Sequence, residues 1–109
     1  MGAGYVGILS VDLHLPEAGS LKHKRKELLR VKAGLARRFA CSVAEVDHHD
    51  LWQRARLSLA LVAREAHDAE SQVDAASRWL HSDAAFQVVS ESRELIAVDE
   101  EPDLMAGEA

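Results

Sequence analysis

The chain has 109 residues, of which 48% are hydrophobic and 5% aromatic, and Cys41 is its single cysteine. This length predicts one domain with an aliphatic core, and the lone cysteine excludes an intrachain disulfide. The formal net charge of −5 argues against a generic nucleic-acid binder.

Several sequence features bear on the cellular compartment and on the bounds of the domain. No apolar run approaches the roughly 18 residues that a membrane span needs, and the N-terminus lacks the pattern of a signal peptide. Together with the single cysteine, these features predict a cytoplasmic protein. Residues 99–109 are acidic and have little to bury. We therefore expect a single domain over 1–98 and a disordered tail over 99–109.

The first predicted element is a strand over residues 4–15. Apolar and polar residues alternate along it: Leu9, Val11, Leu13 and Leu15 against Ser10, Asp12 and His14. This alternation is typical of a strand in a sheet that is covered by helices on one side only.

A basic amphipathic helix is predicted over residues 20–39, with Ser20 as its N-cap. The apolar stripe recurs at helical spacing and consists of Leu21, Leu28, Val31, Leu35 and Phe39, widened by Leu29, Ala33 and Ala36. Eight basic residues and one acidic residue, Glu27, give this segment a local charge of +7, so the rest of the chain carries −12. Such asymmetry predicts a directed electrostatic face.

Four further elements follow in order. Strands are predicted over 41–47 and 52–63, and the leucines of the second one alternate strictly with smaller residues. Because Leu and Ala also favour helices, a helix over 52–63 is the competing interpretation. A second helix is predicted over 66–82, with a buried stripe of Ala69, Val73, Ala76 and Leu80 flanked by Trp79. The last predicted strand, 86–97, has a polar centre that is typical of a sheet edge.

The order β-α-β-β-α-β predicts an α+β fold, a ferredoxin-like split βαβ sandwich. In it a four-stranded antiparallel sheet packs both helices on one face. The other face, which carries Ser10, Asp12 and His14, must be solvated, dimerised or covered by a partner.

Several segments together resemble the YlxP-like family of small bacterial proteins. They are VGILSVDLHLP, SLKHKR, SVAEVDHHDLWQRA and LSLALVA, and the resemblance covers residues 4–97. The matching motif positions are Ser20, Leu21, Lys22, Lys24, Arg25, Ser42, Val43, Ala44, Glu45, Val46, Asp50, Trp52 and Gln53. The resemblance implies a ferredoxin-like fold, and the family's genomic setting beside translation and ribosome-maturation genes implies work on RNA or the ribosome. It implies no catalytic residues, and it says nothing of the acidic tail.

The strongest binding site that the residues predict is the start of the basic helix. Free backbone N–H groups and basic side chains in the first turns attract phosphate. The proposed phosphate- or RNA-binding residues are Ser20, Lys22, Lys24, Arg25, Arg30 and Lys32. The competing interpretation is a solvated helix face with an N-cap, although cations at this end oppose the helix dipole. Arg37 and Arg38, at the other end, suit the dipole and are interpreted as helix-stabilising.

The remaining candidates are weaker. Trp52, Arg54 and Arg56 are interpreted as a partner or dimer contact, or as packing at the core edge, with base stacking as the alternative. The run 47–50, Asp-His-His-Asp, is interpreted as a polar turn rather than a metal site, because adjacent extended residues point to opposite sides. Cys41 is interpreted as a small buried hydrophobe rather than a reactive thiol. We expect no metal and no cofactor.

Three functional hypotheses follow. The first is a non-enzymatic protein that binds RNA, the ribosome or a pre-ribosome through the basic helix, without DNA sequence specificity. The second is a homodimeric interaction module that uses the open sheet face or an edge strand. The third is a small phosphate-handling enzyme that uses the helix start, for which fold analogy is a weak argument.

Overall fold

The computed structural model describes residues 4–98. The elements are β1 (Tyr5–His14), α1 (Leu21–Phe39), β2 (Ser42–Asp47), β3 (Arg54–Ala63), α2 (Ala66–His81) and β4 (Gln87–Ala97). The predicted order and element types are confirmed, including the strand rather than a helix at β3. The predicted tail, 99–109, lies outside the described residues. Over 4–98, no helix combines the length and the apolar character needed to cross a membrane.

The four strands form one antiparallel sheet in the order β2-β3-β1-β4. With the two helices, this is the predicted α+β ferredoxin-like arrangement. The strands β1 and β3 are central, and β2 and β4 form the edges, so the prediction of an edge strand at 86–97 is confirmed. The register of β4 on β1 shifts between Asp12 and Leu13.

The core lies between the sheet and the helices. Alternate residues of the central strands face it and are buried: Leu9, Val11 and Leu13 on β1, and Leu57, Leu59 and Leu61 on β3. The helices contribute Leu28, Val31 and Leu35 from α1, and Ala69, Val73, Ala76 and Leu80 from α2. The predicted stripe of α2 is thus confirmed. On α1 the stripe is narrower than predicted, because Leu29 is 68% exposed and Ala33 and Ala36 are also exposed.

The two helices meet where a glycine faces an aromatic ring. A Cβ atom added to Gly34 would lie 2.6 Å from Cη2 of Trp79, so only glycine permits this approach. The rings of Phe39 and Trp79 meet edge to face with centroids 6.4 Å apart, and the Arg38 guanidinium lies 5.3 Å from the Trp79 ring centroid. Arg38 therefore faces the helix–helix contact.

Both ends of α1 are capped. The Ser20 hydroxyl accepts a 3.0 Å hydrogen bond from the backbone N–H of His23, which confirms the predicted N-cap. At the other end Ala40 adopts a left-handed conformation (φ 49°), and its N–H donates to the Ala36 carbonyl. Glycine is the usual residue at such a position, because a Cβ atom is unfavourable there.

The open face of the sheet is polar at its centre. The hydroxyls of Ser10 and Ser58 are hydrogen-bonded at 2.7 Å. Asp12 accepts from Arg56 and Ser90, each at 2.7 Å, and its other oxygen lies 3.6 Å from Nε2 of His48. The Ser90 hydrogen bond lowers the pKa of Asp12, burial opposes this, and the charges of Arg56 and His48 add to the lowering.

Candidate nucleic-acid interface

Lys24 does not belong to the basic surface, which corrects its prediction as a phosphate contact. It is only 1% exposed. Its Nζ lies 2.9 Å from Oε2 of Glu45 and donates to the backbone carbonyls of His48 (2.8 Å), His49 (3.3 Å) and Arg54 (3.1 Å). Since an ammonium group has three N–H donors, the four acceptors share them. With these partners, the Lys24 ammonium is engaged inside the protein rather than offered to RNA.

This group of contacts, the Lys24 clamp, shapes the loop between β2 and β3. His48 has a left-handed backbone (φ 65°), a conformation that non-glycine residues rarely adopt. Its carbonyl accepts from both Lys24 and the backbone N–H of Leu51, and its own N–H donates to Oδ1 of Asp47 at 2.8 Å. These hydrogen bonds hold the loop in a conformation that the local sequence does not favour.

A second side chain ties this loop to the one that precedes α1. The side-chain Nε2 of Gln53 donates to the backbone carbonyls of Pro16 (3.0 Å) and Ala18 (3.3 Å). The backbone carbonyl of Gln53 accepts from the backbone N–H of Leu15. The Lys24 clamp and Gln53 thus bind both loops at one end of the sheet. The backbone on either side of Trp52 is fixed by these bonds.

The exposed side of α1 carries what we call the outer basic stripe. It consists of Lys22, Arg25, Lys26, Lys32 and Arg37, of which Lys32 is half-buried and the others are exposed. Within residues 4–98, none of the five forms a salt bridge. From Lys22 to Arg37 the stripe extends about 22 Å along the helix. It is a band of unneutralised positive charge.

Arg30, the other predicted phosphate ligand in mid-helix, is already paired. Its guanidinium donates to both carboxylate oxygens of Asp83 (2.9 and 3.1 Å) and to Glu27. The Asp83 hydrogen bond raises the pKa of Arg30. Burial raises the pKa of Asp83, but the bonds from Arg30 and the Ala85 N–H outweigh it and lower the net value. The structure therefore places Arg30 in a bridge between α1 and the loop after α2.

One flank of the stripe borders a groove at the β2 edge. The groove has a volume of about 300 Å³ and is lined by Arg25, Leu28, Leu29, Lys32 and Glu45. Arg25 and Lys32 of the outer basic stripe thus lie beside the Glu45 carboxylate, which belongs to the Lys24 clamp. The groove brings positive charge and the exposed side chain of Leu29 together on one surface.

The predicted partner residues Trp52, Arg54 and Arg56 are separated by the structure. Trp52 is 54% exposed and lies next to Leu51, which is 48% exposed, so it does not cover the core edge. Arg54 is exposed, and its carbonyl is an acceptor of the Lys24 clamp. Arg56 is bound to Asp12 on the open face. Trp52 and Arg54 therefore lie at the clamped end of the sheet, and Arg56 lies on the polar centre.

The remaining candidate residues have structural surroundings. No group of three or more His, Cys, Asp and Glu side chains in the described part of the chain is arranged to hold a metal ion. Cys41 is half-buried, its Sγ lies 3.5 Å from the Leu35 carbonyl, and burial raises its pKa. A raised pKa disfavours the nucleophilic thiolate.

The Lys24–Glu45 pair was missed by sequence reasoning, although a signal for it existed. Lys24 precedes the buried Leu28 by four residues and Val31 by seven, so helical spacing places it on the inner face. Glu45 follows Val43 by two residues on β2, so the two side chains share a face of the strand, and Glu45 pairs with the buried Leu57. Periodicity alone would have placed both charges on the core side.

Two comparisons with known proteins agree with the resemblance. A family model described as a protein of unknown function, DUF503, matches residues 6–93. The chain is also 27% identical over 77 residues to the uncharacterized protein YlxP of Bacillus subtilis (strain 168), and the alignment covers 71% of this chain and 84% of that protein. The expected YlxP-like relationship is therefore confirmed.

Proposed function

The protein belongs to the DUF503 family of proteins of unknown function, and we propose that it binds structured RNA, on the ribosome or a ribosomal precursor, through α1. In this proposal the outer basic stripe contacts backbone phosphates, and the protein binds without catalysing a reaction. The ribosomal setting follows from the YlxP-like resemblance, and the RNA contact follows from the charges on α1.

The observation that carries the proposal is the set of unpaired cations on one helix face. Four other basic side chains, Lys24, Arg30, Arg56 and Arg93, have carboxylate partners. Those of the outer basic stripe have none within residues 4–98. Free Lys and Arg side chains release counterions when they meet phosphates, which is the main source of sequence-independent affinity for nucleic acids.

The charge of the remaining chain supports an oriented contact. Outside residues 20–39 the chain carries a net charge of −12. A phosphate backbone is repelled by that remainder and attracted by α1, so the field orients the encounter. Strong non-specific binding to any polyanion is reduced for the same reason.

Trp52 adds a second kind of contact to this proposal. Its exposed ring is carried by the loop that the Lys24 clamp attaches to the first turns of α1. An aromatic side chain beside a phosphate-binding helix is suited to stack on an unpaired base. The Ser20 hydroxyl accepts from the backbone N–H of His23 as the cap of α1, so we do not count it among the phosphate contacts.

The test is binding of the full chain to purified ribosomal subunits and to total RNA across a salt series. Five phosphate contacts predict that log K falls with log salt with a slope of about −3.5 to −4.5. The double variant Lys22→Gln/Arg25→Gln should reduce that slope by about two. Lys24 is left intact, because its substitution would disturb the fold.

The matched control is Arg64→Gln/Arg78→Gln, which removes two exposed basic residues outside α1. This control changes the net charge equally and should keep the native slope. Equal effects of the two double variants would mean that only total charge matters. Absence of binding at low salt would make the outer basic stripe a solvated helix face and reject the proposal.

A further inference from the structure

The strand β4 is a long edge strand. It pairs with β1 from Tyr5 to His14, and within residues 4–98 its other side has no strand partner. Its sequence, QVVSESRELIA, contains neither proline nor lysine, and the features that moderate this edge are the charges of Glu91, Arg93 and Glu94 and the register shift on β1. Apolar side chains along it and just after it are exposed: Val89 (51%), Leu95 (40%), Ile96 (42%) and Val98 (36%). Such an edge is a template for another strand.

The helix layer contacts β4 through polar side chains. Glu91, Arg93 and Leu95 lie on the helix face of the sheet, since they pair with Val11, Leu9 and Gly7 of β1. Glu91 hydrogen-bonds to Ser77 and His81 of α2, and Arg93 is bound to Asp74 of α2. These contacts lie on the face of the sheet, whereas a second strand would approach along the edge, where the backbone of β4 has no strand partner within residues 4–98.

The sequence of β4 is complementary to itself when read in opposite directions from Ser92. In an antiparallel pair of two such strands centred on this residue, Glu91 of one copy faces Arg93 of the other. Ser90 faces Glu94 by count along the strand, and the count ends there because Val89 is the extra residue where the register of β4 on β1 shifts. Opposite charges at directly facing positions stabilise a sheet.

We propose that β4 pairs antiparallel with β4 of a second copy of this chain, with Ser92 at the two-fold axis. The two four-stranded sheets then form one sheet of eight strands, β2-β3-β1-β4-β4-β1-β3-β2. A two-fold axis perpendicular to the sheet puts all four helices on the same side. Both outer basic stripes therefore belong to one face of the dimer.

The charges select this register over its neighbours. A two-fold axis requires a residue to face itself, so the nearest alternatives are centred on Glu91 or Arg93. Centring on Glu91 places two carboxylates opposite each other, and centring on Arg93 does the same with two guanidinium groups. Like charges at facing positions destabilise a strand pair. The axis at Ser92 avoids both repulsions.

Disulfide trapping tests the register directly. In a Cys41→Ala background, Ser92→Cys places two thiols at the axis, within the Cα separations that a disulfide allows. The control is Ser42→Cys, an exposed serine on the opposite edge strand, β2. Oxidation of the full chain should convert the Ser92→Cys protein mainly to a covalent dimer and leave the Ser42→Cys protein monomeric in denaturing gels. The reverse pattern would overturn the proposal.

Sedimentation tests the interface without new covalent bonds. The native chain should sediment as a dimer, and Val89→Lys/Leu95→Lys should weaken the dimer by about tenfold or more. The control Val62→Lys changes an apolar side chain that is 75% exposed on the open face of β3, and it should remain dimeric. A monomeric native chain, or dissociation by Val62→Lys with no effect of the edge variant, would reject the β4 pairing. Because RNA binding rests on α1, a monomer that still binds RNA would leave that proposal standing.

Discussion

The inner and outer sides of α1 use basic residues in opposite ways. Lys22 is exposed and has no carboxylate partner within residues 4–98, whereas Lys24, two positions later, is buried and bound to Glu45 and three carbonyls. The two side chains are chemically identical and differ only in the face of the helix that they occupy. Charge counted along a sequence therefore does not separate cations that hold a fold from cations that are available to a ligand.

Substitution of Lys24 should give the largest loss of stability, in contrast to the same substitution of Lys22. Lys24→Met keeps the apolar stem but leaves the Glu45 carboxylate and three carbonyls without their donor. We expect a loss of about 3 kcal/mol in the free energy of unfolding. Lys22→Met should change it by less than about 0.5 kcal/mol. Chemical denaturation of both variants measures the difference.

A double-mutant cycle with Glu45→Gln isolates the charge pair. In that background the cost of Lys24→Met should be smaller, because no carboxylate is left unpaired. If Lys24→Met and Lys22→Met are equally stable, the buried contacts of Lys24 do not stabilise the fold.

A third side of α1 packs against α2 at Gly34, and the free energy of unfolding should depend on the volume of the side chain at this position. Gly34→Ala forces a methyl group against the Trp79 ring. We expect a destabilisation of about 1 to 2 kcal/mol, after allowing for the better helix propensity of alanine. In a Trp79→Leu background the same change should become neutral or stabilising. An unchanged cost in that background would mean that Trp79 is not the obstacle.

Asp12 and its partners Arg56, Ser90 and His48 lie on the open face of the sheet and provide a test of charge pairing away from α1. The pKa of Asp12 is lowered, so its interactions contribute fully to stability above the ordinary aspartate value of 3.8, and this contribution is lost as the pH falls from there through the lowered pKa of the folded state. Ser90→Ala removes the hydrogen bond with the largest effect and should raise the pKa of Asp12. An NMR titration of the carboxyl carbon measures both values. A midpoint that does not rise in the variant would exclude the Ser90 contact as the cause.

The smallest effect is expected at the C-terminal cap of α1. Ala40 is left-handed, so Ala40→Gly should remove strain and stabilise the fold by about 0.5 to 1 kcal/mol. Thermal unfolding should show a rise of about 4 °C. The control Ala36→Gly, one turn earlier on the exposed face, should lower stability by a similar amount. A decrease for Ala40→Gly would contradict the left-handed cap.

The elements were predictable because each has a clear period. The leucines of β3 alternate with small residues and form the central strand, and Ala69, Val73, Ala76 and Leu80 mark the inner side of α2 at helical spacing. The order of the elements then leaves few topologies, of which the ferredoxin-like one is observed. The site was less predictable, because Ser20, Lys24 and Arg30 were assigned to one surface while the structure gives them three different environments.

The sequence by itself determined the alternation of strands and helices, the N-cap at Ser20 and the concentration of positive charge on α1, because all three depend on neighbours within a few positions. Only the tertiary structure decided which of those charges remain free. Glu45, Asp83 and the carbonyls of the loop after β2 lie 21 or more residues from their basic partners along the chain. Folding brings them together, and at the buried Lys24 pairing is strongly favoured because an isolated charge in the interior is costly.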